Sequence, residues 1–136
     1  MTLVDRLVTD LHYPHLTDEQ SLHSFSAQTA HTVIFLPANP QQYPETLDVA
    51  IVLPELMKVF ALQLQPAVAS PDLAKTLAAR YAISEWPALL FLRNGEYLGV
   101  ITRMRDWDVY LRKVQELLQT PTPIKAPGIG IPVVGI

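Results

Sequence analysis

Apolar residues at Leu3, Val4, Leu7, Val8 and Leu11 recur at helical spacing and predict a short amphipathic helix at the start of the chain. Tyr13-Pro14-His15-Leu16 reads as extended, because the residue before a proline avoids helical dihedrals. Thr17-Asp18-Glu19-Gln20 has the form of a capping box with Thr17 as the cap. Leu22 and Phe25 then mark the inward face of a helix ending near Thr29. Thr32-Val33-Ile34-Phe35-Leu36 is an apolar, β-branched run of the kind a strand covered on both faces requires.

A loop punctuated by Pro37, Pro40 and Pro44 follows, then a helix starting near Thr46 whose face is Val52, Leu53, Leu56, Met57 and Phe60. Pro54 lies within it, removing one amide donor and crowding the carbonyl of Ala50, so a kink is expected. Leu62 to Ala69 predicts a strand, with Pro66 pointing to an edge or a bulge. Ser70-Pro71-Asp72 opens the next helix with proline at its first position, and Leu73, Leu77 and Tyr81 form its buried stripe. Leu89–Leu92 and Tyr97–Ile101 flank Asn94-Gly95, a strong hairpin signal. Trp107, Tyr110, Leu111, Val114, Leu117 and Leu118 form a last helical stripe, capped by Asp106 or Thr102, with Trp107 and Phe91 expected in the core.

The pattern changes at Thr120. The last 17 residues hold three of the five glycines and four of the twelve prolines, so residues 1–119 form the body and 120–136 an apolar Pro/Gly-rich tail. At 136 residues, 49% hydrophobic and 17% charged, the chain has material for one core. A net charge of −3 with scattered basic residues argues against nucleic acid. The sequence has no signal-peptide pattern and no stretch long and apolar enough for a membrane span, which places the expected location in the cytoplasm. The absence of cysteine excludes disulfides, thiolate catalysis and cysteine-ligated metals. His12, His15, His23 and His31 follow no metal-binding spacing and read as surface residues, so neither metal nor cofactor is expected. No catalytic constellation is visible, and the chain is read as a non-enzyme.

The order strand, kinked helix, strand, helix, hairpin, helix resembles the thioredoxin fold, an α/β/α sandwich around a mixed sheet. The segment Tyr81-Ala82-Ile83-Ser84-Glu85-Trp86-Pro87-Ala88-Leu89, followed by Arg93-Asn94-Gly95-Glu96, resembles the thioredoxin region in which a cis proline opens the fourth strand. A cis bond before Pro87 is what the resemblance implies. Aligned on Pro54 and Pro87, the two redox cysteines of thioredoxin fall at Thr46 and Val49, neither of which forms a thiolate.

Asp48-Val49-Ala50-Ile51-Val52-Leu53-Pro54-Glu55-Leu56 and Trp86-Pro87-Ala88-Leu89 resemble more narrowly the cysteine-free hydrogenase expression/formation family, the HyaE and HupG group. That resemblance implies an assembly factor for a nickel–iron hydrogenase that chaperones the small-subunit precursor and its twin-arginine signal peptide. It also implies other hydrogenase accessory proteins as further partners. On this reading a peptide groove runs between the kinked helix and the loop before Pro87. Its candidate contacts are Glu45, Asp48, Glu55, Glu85, Trp86 and Pro87, because carboxylates make bidentate bonds to guanidinium and tryptophan is enriched at binding hot spots. Glu45 and Asp48 would also face the positive end of a helix dipole, and Trp86 could instead pack over the kinked helix. The alternative is a redox-inactive scaffold of the same fold that binds an unrelated client by a helical face.

Overall fold

The computed structural model describes residues 2–121. The elements run α1 (Leu3–Thr9), β1 (His15–Leu16), α2 (Glu19–Ala27), β2 (His31–Leu36), α3 (Glu45–Phe60), β3 (Gln65–Ala69), α4 (Pro71–Arg80), β4 (Ala88–Arg93), β5 (Glu96–Thr102) and α5 (Trp107–Gln119). The five strands form one sheet in the order β1-β3-β2-β4-β5. β1, β3 and β2 are parallel; β4 runs antiparallel to β2, and β5 antiparallel to β4.

Strand alternation divides the core in two. Val33 and Phe35 of β2 join Val49, Leu53, Leu56, Tyr110 and Val114 on the face covered by α1, α3 and α5. Ile34 and Leu36 join Leu22, Leu73 and Leu77 on the face covered by α2 and α4. The three-layer thioredoxin-like sandwich is therefore as expected.

Pro66 is accommodated by register. The amides of Val68 and Ser70 donate to Pro14 and Leu16 on the β1 side, so by the two-residue period the missing N–H of Pro66 points to that side too. β1 begins only at His15, opposite Val68, so no ladder bond is lost at Pro66. The hairpin closes through Asn94 and Gly95, both with positive φ (52° and 84°) as a type I′ turn requires. In β5, Leu98 is the extra residue of a bulge, and Gly99 lies against Leu117 so closely that a Cβ would meet Leu117 Cδ2 at 2.5 Å.

Several local expectations are corrected. The cap of α2 is Asp18, not Thr17: the Asp18 carboxylate accepts from the Ser21 amide at 2.8 Å, while the Ser21 hydroxyl accepts from the Thr17 and Asp18 amides. Aspartate is the stronger N-cap of two overlapping signals. Leu11 lies beyond α1 and is 47% exposed, because the chain turns at His12 with φ 59°. β3 starts at Gln65, and Leu62 stands in solvent. Trp107 is not core: as the first residue of α5 it is 42% exposed. Asp106 is the N-cap of that helix but makes no side-chain capping bond. Residues 122–136 of the expected tail lie outside the described residues.

Phe91 is 1% exposed in the β4 layer, whereas Leu111 only borders the core. Phe91→Ala is expected to cost about 3–5 kcal/mol and Leu111→Ala clearly less, read by urea unfolding at unchanged slope.

Candidate functional groove

Where β2 and β3 end, the chain opens a groove of about 1090 Å³. Its walls are Val4 and Val8 of α1, the loop carrying Pro37, Pro40 and Tyr43, and the first turns of α4 at Pro71, Ala74 and Lys75. Trp86 lines it from the loop before β4. The Trp86–Pro87 bond is cis, as the thioredoxin resemblance implies. Trp86 is half-buried and packs against the α2/α4 core rather than over α3, the alternative packing for it. Pro87 is buried behind it.

α3 begins beside this groove. Its N-cap is Pro44, which offers no side-chain capping bond. Thr46 is therefore not the cap. It is fully buried, and its hydroxyl accepts from the Ala38 amide at 3.4 Å, tying the groove loop to the helix. Val49 is 1% exposed and belongs to the core. The two positions that correspond to thioredoxin's cysteines are thus one tether and one packing residue.

The four candidate carboxylates separate. Glu45 accepts from Arg103 Nη2 at 2.9 Å and from the Met104 amide at 2.7 Å. These two bonds, the Arg103 one first, hold its carboxyl below the ordinary 4.5. Glu85 accepts from Thr102 Oγ1 at 2.9 Å, and Glu55 pairs with Lys58 one turn on at 2.9 Å. Asp48 is exposed on the first turn of α3, and among the described residues nothing bonds its carboxylate. None of the four lines the groove. The charged side chains that do are Asp5, whose carboxylate accepts from the Thr2 amide, and Lys75.

The loop between β5 and α5 was not singled out by the sequence, yet it braces the site. The Arg103 amide donates to the Pro87 carbonyl at 2.6 Å, with Arg103 at φ 63°. Arg105 Nε donates to the Thr102 carbonyl at 2.7 Å. The fully buried Tyr110 accepts from the Arg105 amide and donates from its hydroxyl to the Arg103 carbonyl at 3.0 Å. The available signal was two arginines crowded between strand and helix in Thr102-Arg103-Met104-Arg105-Asp106, a pattern without meaning until Glu45 lies opposite.

Among the histidines, His12, His15 and His23 are exposed. His31 is half-buried and its Nε2 accepts from Arg93 Nε at 2.9 Å. Burial and then the Arg93 charge hold His31 below its ordinary value. Among the described residues no three His, Asp or Glu side chains converge as a metal site would need.

A model of the family described as Hydrogenase-1 expression protein HyaE matches residues 3–110. The hydrogenase expression/formation protein HoxO of Cupriavidus necator is 40% identical over 134 residues, covering 97% of this chain and 82% of that protein. HupG of Rhodobacter capsulatus is 33% identical over 116 residues, covering 85% and 84%. Among solved structures, a HupG-type hydrogenase expression/formation protein of Rhodopseudomonas palustris is 32% identical with TM-score 0.55, covering 77% of this chain and 95% of its own. A thioredoxin of Halobacterium salinarum superposes with TM-score 0.65 at 14% identity, covering 80% and 93%, a likeness of fold alone.

Two outcomes test this geometry. A carboxyl whose folded pKa is depressed stabilises above its unfolded value and loses that contribution as pH falls through the folded one. The melting-temperature gap between wild type and Glu45→Gln should thus be widest near neutrality and close below the ordinary carboxylate range; a gap independent of pH would deny the Arg103 contact. With no thiol, the purified protein is expected to leave insulin disulfides intact in a turbidity assay.

Proposed function

Because the chain belongs to the HyaE family of hydrogenase expression proteins, we propose that it is a non-redox assembly factor in the maturation of a nickel–iron hydrogenase. Its client is the small-subunit precursor, bound through the twin-arginine signal peptide in the cytoplasm. The observation that carries this reading is an open groove beside Trp86, in a body whose redox positions hold the buried Thr46 and Val49. Such a groove takes an extended segment without covalent chemistry.

The charge distribution divides the work of recognition. The groove lining is aromatic, aliphatic and proline-rich, so it suits the apolar stretch that follows the arginines. The arginines themselves need carboxylates, and those lie outside the lining. Asp48 is available, whereas Glu45, Glu55 and Glu85 each already have a partner in this chain. Exposed carboxylates contribute modestly because water and salt screen them. Trp86 and the apolar walls supply most of the affinity.

The scaffold alternative has one observation in its favour. Ile51 and Val59 stand on the outer face of α3, each 55% exposed. A client that docks there would leave the groove unused.

Titration of a labelled peptide carrying two adjacent arginines and an apolar stretch distinguishes the readings. Wild type is expected to bind, and Trp86→Ala to lose about 2 kcal/mol, roughly thirtyfold. Joint charge reversal, Asp48→Lys with Glu85→Lys, is expected to weaken binding and flatten its salt dependence. If the peptide fails while the intact precursor binds, recognition lies on the folded client. If neither binds, or if Ile51→Asp rather than Trp86→Ala removes binding, the scaffold reading replaces this one.

A further inference from the structure

The fifteen residues that follow Pro121 are chemically odd for a solvated terminus. They read Thr122-Pro123-Ile124-Lys125-Ala126-Pro127-Gly128-Ile129-Gly130-Ile131-Pro132-Val133-Val134-Gly135-Ile136, with Lys125 their one charged side chain. A segment that remains in water is ordinarily polar and charged. One with five aliphatic side chains from Ile129 to Ile136 has apolar surface to bury.

Their point of departure is fixed. Arg93 donates to the carbonyls of Leu117, Leu118 and Thr120, which completes the C-terminal turn of α5. The same guanidinium reaches His31, the first residue of β2. The chain thus leaves at the end of the sheet opposite the groove, which opens past Leu36 at the other end of β2. The six residues of β2 span roughly 20 Å. Fifteen extended residues reach about 50 Å, so the first half is long enough to cross the body and leave Ile129–Val134 within reach of the groove.

The composition chooses between landing places. Among the described residues the outer edge of β5 is unpaired, but Pro123, Pro127 and Pro132 lack the amides that strand addition uses. Prolines spaced in this way favour the extended left-handed helix instead, whose usual receptor is a groove lined with aromatic rings and prolines. The groove presents Trp86 and Tyr43 beside Pro37, Pro40 and Pro71.

We propose that residues 122–136 fold back onto the body of the same molecule and fill the Trp86 groove, so that an incoming client segment must displace them. The displacement rests on the groove being the client surface; the docking does not. A tail that holds the groove for nine-tenths of the time reduces apparent client affinity about tenfold.

The absence of cysteine makes the test direct, since Val133→Cys in the full chain can carry a single nitroxide. Docking is expected to cost the Trp86 indole and Tyr43 amide signals most of their intensity, independent of protein concentration. Ile129→Ser with Ile131→Ser should restore those signals. Broadening confined to His31, Arg93 and Gly95 beside the tail's origin, or none, overturns the docking. Broadening that grows with concentration assigns the contact to a second copy and overturns it equally. Adding the twin-arginine peptide should return the Trp86 signal, and the Ile129→Ser/Ile131→Ser chain should bind that peptide about tenfold more tightly. Peptide binding that leaves the broadening intact overturns the displacement. A docked tail with no peptide binding upholds the docking and fails the client reading alone.

Discussion

The constraint from which this molecule follows is the double burial of β2. Five of its six residues are sealed from solvent, with Val33 and Phe35 on one side and Ile34 and Leu36 on the other. A strand apolar on both faces is stable only with a layer of helix against each, which sets α3 and α5 above the sheet and α2 and α4 below it. Once β2 is central, the chain that leaves it at Pro37 emerges between the two layers. The groove therefore lies where the packing can least close, at the exit of the most buried strand.

What fills the start of α3 follows from the same placement. In a redox protein of this fold the positive end of that helix stabilises a thiolate. Here the charge it meets comes from Glu45 and Asp48 in the first turn. Glu45 is drawn toward Arg103 and the Met104 amide, and the Arg103 amide grips the Pro87 carbonyl. Helix start, cis-proline turn and β5–α5 loop become one braced unit. Tyr110 secures it from below, because a fully buried hydroxyl must find partners and finds them in Arg103 and Arg105. Of the two positions that correspond to the thiols, Thr46 ties the groove loop to this unit through the Ala38 amide and Val49 packs in the core beneath it.

This explains what the sequence made legible. The strands, the Asn94-Gly95 hairpin and the Pro71 helix start were readable because each rests on local chemistry or on a pattern with a fixed period, whereas the cis Trp86–Pro87 bond was legible only through the thioredoxin resemblance. Trp107 misled because helical periodicity predicts a face, and a first-turn residue on that face can overhang the core edge. Thr17 misled as the cap of α2 because its capping-box spacing to Gln20 overlaps that of Asp18 to Ser21, one residue on, which the chain uses. The Glu45–Arg103 contact joins residues 58 positions apart and had no local signal. The groove itself, walled by Val4 and Val8 from the start of the chain and Lys75 from its middle, exists only after the sheet has brought them together.

A binding site of this composition has a predictable weakness. Apolar contact is non-directional, so a groove of proline and aromatic surface accepts many extended segments and rejects few. Discrimination must come from groups that penalise the wrong occupant. An exposed carboxylate such as Asp48, on the first turn of α3, would discriminate by little more than about 1 kcal/mol. The tail proposed to occupy the groove would add to every competitor a displacement cost that only a longer or better matched partner overcomes. Weak surface charges would then suffice, because they would rank the few ligands able to enter rather than all those that collide. With no thiol in the chain, a segment bound there can form no mixed disulfide, and its exchange stays reversible.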